Sequence, residues 1–288
     1  MKEFAKKSIM FHSKISKILS FTNQTFFSKN IFISSNKLFS SKNDNNNTKS
    51  STSEKDNDSK YGVCPAGCTL HNHKFEASYN RLIEGNQKYV LEKTMNNPNY
   101  FKDRAQNQTP KYLLIGCSDS RVPPNEMTMT EPGEIFIHRN IANQVIFSDL
   151  NCMSVLQFGI EHLKVQHVIV LGHTKCGGII ASKNKEYKGI IENWLQNIRD
   201  IAFMNKEELD KCKTEEDYFK KLTILNVKSQ VLNVCKTPYV QKAWANNQKL
   251  HVHGWLVDIE TGLINDLGVT NKDWNKIKES YEFDFKLI

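Results

Sequence analysis

His167-Val-Ile-Val-Leu-Gly-His173-Thr-Lys-Cys176-Gly-Gly178 is a short, mostly apolar run that ends at a histidine and leads into a Gly-Gly pair. Lys111-Tyr-Leu-Leu-Ile-Gly-Cys117-Ser-Asp119-Ser-Arg121 repeats the arrangement with a cysteine at its end. Continuous apolar runs of this length are typical of parallel strands covered on both faces. Because sites in such sheets lie at the carboxyl ends of strands, we expect Cys117, His173 and Cys176 to meet at one edge.

Strand-like and helical patterns alternate along the rest of the chain. The sequence therefore predicts an α/β fold with a mostly parallel central sheet flanked by helices. The predicted strands are Lys111–Gly116, Glu134–His138, His167–Gly172, Leu250–Asp258 and Leu263–Leu267, the last two joined as a hairpin. The predicted helices are Ser78–Lys93, Asp149–Leu163, Ile190–Met204 and Glu215–Cys235.

Two thiols and an imidazole at strand ends are ligands that zinc prefers, and three firm ligands leave its fourth position exchangeable. Asp119 and Arg121 lie two and four residues after Cys117. Arg121 can hold the Asp119 carboxylate by two parallel hydrogen bonds, which favours a catalytic role for both. Two alternatives stay open: Asp119 could be a permanent fourth ligand of a closed structural zinc site, or Cys117 could be a redox nucleophile. The second lacks a closely spaced resolving cysteine.

The basic surplus of the chain is confined to its beginning. Residues 1–50 hold nine lysines and two acids, which accounts for +7 of the formal charge of +8. The balanced remainder argues against nucleic-acid binding. The sequence contains no run of 18 apolar residues, so we expect no membrane-spanning helix.

The first 50 residues are predicted to be a basic presequence, because lysines alternate with apolar residues as in an organelle transit peptide. A disordered tail is the alternative. We expect mitochondrial localisation, with plastid or cytoplasm as alternatives. Residues 51–74 are predicted to be a polar linker and residues 75–288 the catalytic domain.

Seven cysteines, an odd and scattered number, do not indicate a disulfide framework and favour a reducing compartment. Cys64, Cys68, His71 and His73 fit no familiar zinc spacing, and we do not expect a second metal there. His251 and His253 alternate on a predicted strand and are expected to pack or form hydrogen bonds.

The chain from about 75 to 274 resembles the β-class carbonic anhydrases. The resemblance lies in six strings: Glu84-Gly-Asn-Gln-Lys88, Cys117-Ser-Asp-Ser-Arg-Val-Pro123, Glu131-Pro-Gly-Glu134, Arg139-Asn-Ile-Ala-Asn143, Gly172-His-Thr-Lys-Cys-Gly-Gly178 and His253-Gly-Trp255. It implies one zinc ion per subunit, held by Cys117, His173 and Cys176, with Asp119 as an additional possible ligand. Asp119 and Arg121 then form the catalytic dyad.

The resemblance also implies a substrate pocket and an assembly. The pocket residues are Gln108, Phe136, Ile141, Phe158 and Gly178. Among them, Gln108 matches a glutamine that contacts substrate across a dimer interface, and Phe158 stands where many members have tyrosine. The family is built from dimers, often paired into tetramers, with an N-terminal helical arm that wraps the neighbouring subunit.

The implied reaction is the reversible hydration of CO2 to bicarbonate and a proton, in which zinc-bound hydroxide attacks CO2. Because two thiolates cancel the charge of zinc, we expect activity to rise on the alkaline side of neutrality. Hydrolysis of a sulfur analogue of CO2, such as carbonyl sulfide or carbon disulfide, on the same site is the alternative reaction.

Overall fold

Five strands form one sheet in the order β2-β1-β3-β4-β5. The structure, a computed structural model, describes residues 73–269 and 271–285, without the side chains of 73–76 and 271. The strands are β1 (Tyr112–Cys117), β2 (Ile135–Asn140), β3 (His167–His173), β4 (His251–Val257) and β5 (Ile264–Asp266). The first four are parallel, and β5 runs antiparallel to β4. The predicted mostly parallel sheet with a final hairpin is confirmed.

Helices flank the sheet and follow the strands in alternation. They are α1 (His73–Asn96), α2 (Tyr100–Arg104), α3 (Pro124–Thr128), α4 (Leu150–Gln157), α5 (Gly177–Lys183), α6 (Ile191–Met204), α7 (Lys206–Leu209), α8 (Glu215–Lys236), α9 (Pro238–Ala245), α10 (Asn271–Asn275) and α11 (Lys278–Tyr281). Across the described helices, we find none that combines the length and the apolar character needed to span a bilayer.

The helix predicted over Asp149–Leu163 is not regular along its whole length. The α-helix ends at Gln157, and Phe158–His162 continues as a π-helical turn. Gly159 lies within this turn, and a Cβ atom there would lie 2.4 Å from the Leu113 side chain. The backbone therefore approaches β1 more closely than a side-chain-bearing helix could.

The presequence, almost all of the predicted linker, and Cys64, Cys68 and His71 lie outside the described residues. The predictions for these segments therefore remain predictions. The described residues belong to a compact unit of residues 72–288.

The register of the parallel strands brings the two motif stretches together. Gly116 of β1 pairs with Leu171 of β3, so the strands end at neighbouring points on one edge of the sheet. Ser118 continues the alignment by donating its amide to the Asn140 carbonyl of β2 at 2.8 Å. On the other side, His173 pairs with Val257 of β4.

Helix α8 packs directly on β3 and β4 at two glycines. A Cβ atom on Gly172 would lie 2.4 Å from Val227 Cγ2, and one on Gly254 would lie 3.1 Å from Val227 Cγ1. Val227 is fully buried and β-branched, so its side chain has little freedom to move aside. The close approach of α8 to the sheet therefore depends on these two positions.

We expect Gly172→Ala to destabilise the fold by about 1–3 kcal/mol, because the new methyl group overpacks the α8–β3 contact. Chemical denaturation measures the loss. The matched control is Gly85→Ala on exposed α1, since a methyl group at Gly85 would meet no other atom within 4 Å. This control should be neutral or slightly stabilising. The Gly172→Ala/Val227→Ala double variant should lose less stability than the sum of its single variants; strict additivity would contradict the steric explanation.

Candidate active site

Cys117, His173 and Cys176 converge at the carboxyl edge of the sheet. Cys117 is the last residue of β1, His173 is the last of β3, and Cys176 directly precedes α5. One potential ligand atom from each lies within 4.8 Å of those of the other two, and all three residues are buried. The geometry that the sequence predicted for these three side chains is present.

The histidine of this group has one nitrogen occupied and one free. His173 Nδ1 donates a hydrogen bond to the Thr174 carbonyl at 2.8 Å, which leaves the lone pair on Nε2. His173 is fully buried, and its Nε2 has no hydrogen-bond partner. Metal-binding histidines typically donate their second nitrogen to a carbonyl in this way, which fixes the tautomer and the ring.

The donor set fits a zinc ion in its distances as well as in its chemistry. The Cys117 and Cys176 sulfurs lie 3.9 Å apart. Two thiolates at about 2.3 Å from a tetrahedral zinc would lie ~3.8 Å apart. The orphaned Nε2 of His173 is the third donor. A buried polar atom without a partner is costly, and a metal ion would remove that cost.

The surroundings favour thiolate at this position. The hydrogen bond with Cys176, followed by the interactions with His173 and backbone amides, lowers the pKa of Cys117. The same shared proton, together with burial, raises the pKa of Cys176. Backbone amides of Gly178 and Ile179 act in the opposite direction on Cys176. The two thiols therefore share one proton in the absence of a metal ion, and a metal ion would displace it.

Arg121 binds both carboxylate oxygens of Asp119. Arg121 Nε lies 2.9 Å from Oδ1 and Nη2 lies 2.7 Å from Oδ2, and the Arg121 amide also reaches Oδ1 at 3.0 Å. The hydrogen bonds from Arg121 hold the pKa of Asp119 well below its usual range. Asp119 Oδ2 lies 3.8 Å from His173 Nε2. The carboxylate is thus charged, fixed and adjacent to the three ligands.

Two arginines tie the loops of the site together. Arg121 Nη2 also donates to the Lys175 carbonyl at 3.3 Å, which joins the loop after β1 to the loop after β3. Arg139 of β2 donates to the carbonyls of Cys117 at 2.8 Å, Asp119 at 2.6 Å and Val122 at 3.0 Å. The guanidinium of Arg139 therefore fixes the backbone that carries Cys117 and Asp119.

The predicted pocket residues fall into two groups. Ile141 and Gly178 lie beside the ligands: a Cβ atom on Gly178 would be 2.8 Å from Ile141 Cγ2, and Gly178 is the second residue of α5. Gly178 thus allows the turn Ile141–Asn143 to pass close to the start of α5. Ala142 and Asn143 in this turn adopt left-handed φ angles of 60° and 48°.

Phe136 and Phe158 lie elsewhere on the same chain. Their ring centroids are 5.9 Å apart, and Phe136 pairs with Leu113, whereas Cys117 pairs with Asn140. Four residues along a strand amount to ~13 Å. Gln108 is exposed in the segment before β1. Within one chain, the sheet register therefore keeps Phe136 and Phe158 away from the ligand group.

A buried amide network supports the left-handed turn. Gln144 Nε2 donates to the Ala142 carbonyl and to Asn226 Oδ1, and Asn226 Nδ2 also donates to the Ala142 carbonyl. Gln230 accepts from the Val145 amide at 2.9 Å. Asn226 and Gln230 lie one turn apart on α8. Their hydrogen bonds satisfy a turn that would otherwise be buried without partners.

Sequence reasoning missed the roles of Arg139, Gln144, Asn226 and Gln230. Arg139 begins the string Arg139-Asn-Ile-Ala-Asn143 and Gln144 directly follows it, yet Arg139 contacts the loop after β1 and Gln144 contacts Asn226, 82 residues away, as well as nearby Ala142. Asn226 and Gln230 carried a local signal, because two polar residues four apart interrupt an otherwise apolar helix face. That signal indicates a buried partner but does not identify it.

A second group of possible metal ligands is less suited to the task. His138, Asp149 and Cys152 also have ligand atoms within 4.8 Å of one another. Asp149 already accepts from the Asn151 and Cys152 amides at the start of α4. Burial raises the pKa of Cys152 to about 12, so its thiol stays protonated. The Cys117–His173–Cys176 group is the better metal centre.

Comparison with known proteins supports the same interpretation. Residues 112–264 match the family model described as carbonic anhydrase. The chain is 41% identical to a carbonic anhydrase of Emericella nidulans over 194 residues, which cover 67% of this chain and 85% of that protein. A tetrameric β-carbonic anhydrase of Sordaria macrospora aligns with a TM-score of 0.65 at 33% identity, covering 67% of this chain and 98% of that chain. The Coccomyxa β-carbonic anhydrase bound to acetazolamide aligns with a TM-score of 0.63 at 40% identity, covering 65% and 85%.

We expect zinc retention to separate the three ligands from Asp119. Cys176→Ala should lose the metal, because it removes a buried thiolate from a three-donor set. Asp119→Asn should keep about one zinc per chain, because the wild-type carboxylate is bound by Arg121 and is not needed as a zinc ligand. Metal analysis of the dialysed proteins measures both values. Loss of zinc from Asp119→Asn to the extent seen in Cys176→Ala would indicate a closed four-ligand site instead.

Proposed function

The chain belongs to the β-class carbonic anhydrase family, and we propose that it hydrates CO2 at a zinc ion held by Cys117, His173 and Cys176, with Asp119 and Arg121 as the catalytic pair. The observation that carries the proposal is the juxtaposition of a free, buried imidazole nitrogen, two sulfurs 3.9 Å apart and a carboxylate held by a guanidinium. Bicarbonate and a proton are the products.

A zinc ion held by Cys117, His173 and Cys176 would lower the pKa of a water molecule from about 15.7 toward about 7 and so would supply a nucleophile. Asp119 would accept a hydrogen bond from that nucleophile and orient its lone pair toward CO2. This role requires a carboxylate that is charged and pointed at the ligand group. Its low pKa and its 3.8 Å separation from His173 Nε2 meet both requirements.

Arg121 and Arg139 are positioning residues in this proposal. Arg121 keeps Asp119 charged and oriented by two parallel hydrogen bonds. Arg139 holds the loop backbone from Cys117 to Val122 by three hydrogen bonds. Neither guanidinium needs to move for the carboxylate to accept a hydrogen bond.

The CO2 pocket in this proposal is apolar and is completed by a second copy of the chain. Ile141 supplies an apolar wall next to the ligands and is 41% exposed in the single chain. Phe136, Phe158 and Gln108, which lie away from the ligands of their own chain, would contribute to the pocket of the partner. Phe158 is 44% exposed and thus accessible for such a contact.

Helix α1 carries the surface that we propose for self-association. Tyr79, Leu82, Ile83 and Val90 form an apolar stripe on α1 at helical spacing, with Leu82 69% exposed. An exposed stripe of this kind marks a protein contact. Together with the tetrameric relative of Sordaria macrospora, it supports a dimer or tetramer in which α1 packs against a neighbouring chain.

Two alternatives to CO2 hydration can be tested on the same site. In a closed structural zinc site, Asp119 would be a permanent zinc ligand. Arg121, which holds both Asp119 oxygens, would compete with zinc for them. A hydrolase acting on carbonyl sulfide would need the same zinc ligands and differ in access to the pocket. Parallel assays with CO2 and carbonyl sulfide distinguish these functions.

We also propose that residues 1–50 direct the protein to mitochondria, on the strength of their lysine and apolar pattern. Residues 75–288 would then act as the catalytic domain. A fusion of residues 1–50 to a fluorescent reporter tests this targeting. Mitochondrial fluorescence supports the proposal, and diffuse cytoplasmic or plastid fluorescence contradicts it.

Stopped-flow CO2 hydration tests the proposed function. The wild-type protein should be active, with a rate that rises toward alkaline pH. Asp119→Asn should lose about 100-fold or more in kcat while it keeps its zinc, because the oriented acceptor is gone. Arg121→Gln should lose about 10–100-fold, because the carboxylate is no longer held and its pKa rises. The rise follows because the hydrogen bond that lowers the pKa is removed while partial burial remains.

The matched control for Arg121→Gln is Arg199→Gln, which breaks an ion pair with Glu192 and hydrogen bonds to the Ser182 and Asn184 carbonyls, away from Asp119, and should leave kcat unchanged. A zinc-loaded wild-type protein without CO2 hydration would refute the proposed function. Faster turnover of carbonyl sulfide than of CO2 would favour the alternative hydrolase.

Self-association predicts a response to charge in the α1 stripe. We expect Leu82→Lys to shift the protein to a smaller species in light scattering after gel filtration, because a lysine is buried unpaired in the proposed contact. Met95→Lys makes a matched change on the opposite side of α1 at a residue that is 82% exposed, and it should leave the assembly intact. An unchanged mass for Leu82→Lys would place the contact elsewhere.

A further inference from the structure

Three histidines cluster at the amino ends of β3 and β4, the end of the sheet opposite the Cys117–His173–Cys176 group. His167 is the first residue of β3 and pairs in register with His251, the first residue of β4. Registered residues of parallel strands face the same side of the sheet, and His253 faces that side too because it lies two residues after His251. The sequence pattern suggested only the pair on β4; the sheet brings the third.

We propose that His167, His251 and His253 form a second binding site, selective for divalent first-row transition ions such as Zn2+, separate from the site of CO2 hydration. The two sites lie ~20 Å apart, because six residues of β3 separate His167 from His173. Neutral imidazole is a preferred ligand of Zn2+, and three such ligands with a water make a complete tetrahedral set.

Two of the three rings are close to the positions that such an ion requires, whereas His251 lies outside the 4.8 Å separation that the Cys117–His173–Cys176 group meets. His167 Nδ1 and His253 Nε2 face each other at 3.0 Å. Two imidazole nitrogens on a tetrahedral zinc would lie ~3.3 Å apart, and the ring centres would lie ~5 Å apart. The ring centroids here are 5.2 Å apart for His167–His253, 5.6 Å for His167–His251 and 6.3 Å for His251–His253.

Binding requires small changes in the cluster. The proton now shared between His167 Nδ1 and His253 Nε2 moves to the outer nitrogen of the ring that carries it, so both rings stay neutral and both facing lone pairs become available. His251 is stacked on His167 at an interplanar angle of 23°, and its ring must turn to direct a nitrogen at the gap. Its exposed position at the strand start allows that rotation.

The surroundings of the cluster favour neutral imidazoles that bind a cation over imidazoles that carry the positive charge themselves. Burial, and then the neighbouring histidines, lower the pKa of His167 and of His253, so these rings are neutral ligands at physiological pH. Asp266 acts on His253 in the opposite direction, which places a negative charge near the cluster. Two positively charged imidazoles at 3.0 Å would repel each other, whereas a single divalent ion satisfies both lone pairs.

The cluster is open to solvent at one ligand and restrained at another. His251 is exposed at the start of β4. On the β1 side, Tyr112 stacks on His167 with ring centroids 5.5 Å apart and restrains that ring. The ion would cross-link β3 and β4. Among the described residues, no disulfide joins these two strands.

Calorimetric titration of Zn2+ into the full-length protein, already loaded at Cys117, His173 and Cys176, tests the proposal. The wild type should take up one further zinc per chain. His251→Asn should weaken that binding at least tenfold, and because His251 is exposed, the variant is expected to fold. His167→Asn should give the same loss. In thermal unfolding, added Zn2+ should raise the melting temperature of the wild type but not of His251→Asn.

Two controls identify the ligands. His162→Asn removes another exposed histidine outside the cluster and should bind the extra zinc as the wild type does. Cys64→Ser/Cys68→Ser should also bind it. The proposal is overturned if wild type and His251→Asn take up equal amounts of zinc, or if the extra zinc disappears in Cys64→Ser/Cys68→Ser. Extra zinc that binds to the wild type and is lost in His251→Asn and His167→Asn supports the proposal, whether or not CO2 hydration changes.

Discussion

The parallel pairing of β1 with β3 is the constraint on which the active site depends. The ligands come from two segments that are far apart in the chain, and only the register Gly116 to Leu171 ends both strands at the same edge. A slip by one residue would exchange the two faces of a strand, because side chains alternate. Buried Leu114 and Ile169 on one face and Leu113 and Val170 on the other oppose such a slip. Core packing thereby sets the position of Cys117 relative to His173.

Beyond the strand ends, backbone carbonyls of the loops have no partner in the sheet. Arginine and amide side chains donate hydrogen bonds to these carbonyls. Arg139 uses its guanidinium on three carbonyls of the loop after β1. Gln144 and Asn226 both donate to the carbonyl of Ala142. Ala142 itself adopts a left-handed φ angle, which is uncommon for alanine. Buried groups without such partners cost free energy, so these side chains stabilise the exact shape that the ligand loops require.

Much of the fold and the ligand set follows from local sequence. Period and length predict β1 and β3, and the residue types of Cys117, His173 and Cys176 predict a group that could hold a metal ion. The roles of Asn226 and Gln230 do not follow, because they depend on which loop α8 crosses. The separation of Phe136 from Cys117 does not follow either, since it depends on the register between β2 and β1. The close approach of Gly159 to Leu113, in the π-helical turn after Gln157, does not follow either, because it is a tertiary contact that no local propensity encodes.

The hold of Arg121 on Asp119 is the adjustable part of the site. The Asp119 side chain is 15% exposed, but that of Arg121 is 55% exposed, so water and salt weaken the pair on the arginine side. The three zinc-type ligands, by contrast, are fixed by strand ends, a helix start and the Thr174 carbonyl. Asp119 is close enough to His173 Nε2 to serve either as an acceptor or as a further ligand. The position of the Asp119 carboxylate therefore depends on a guanidinium at the surface, whereas Cys117, His173 and Cys176 are held by the buried frame.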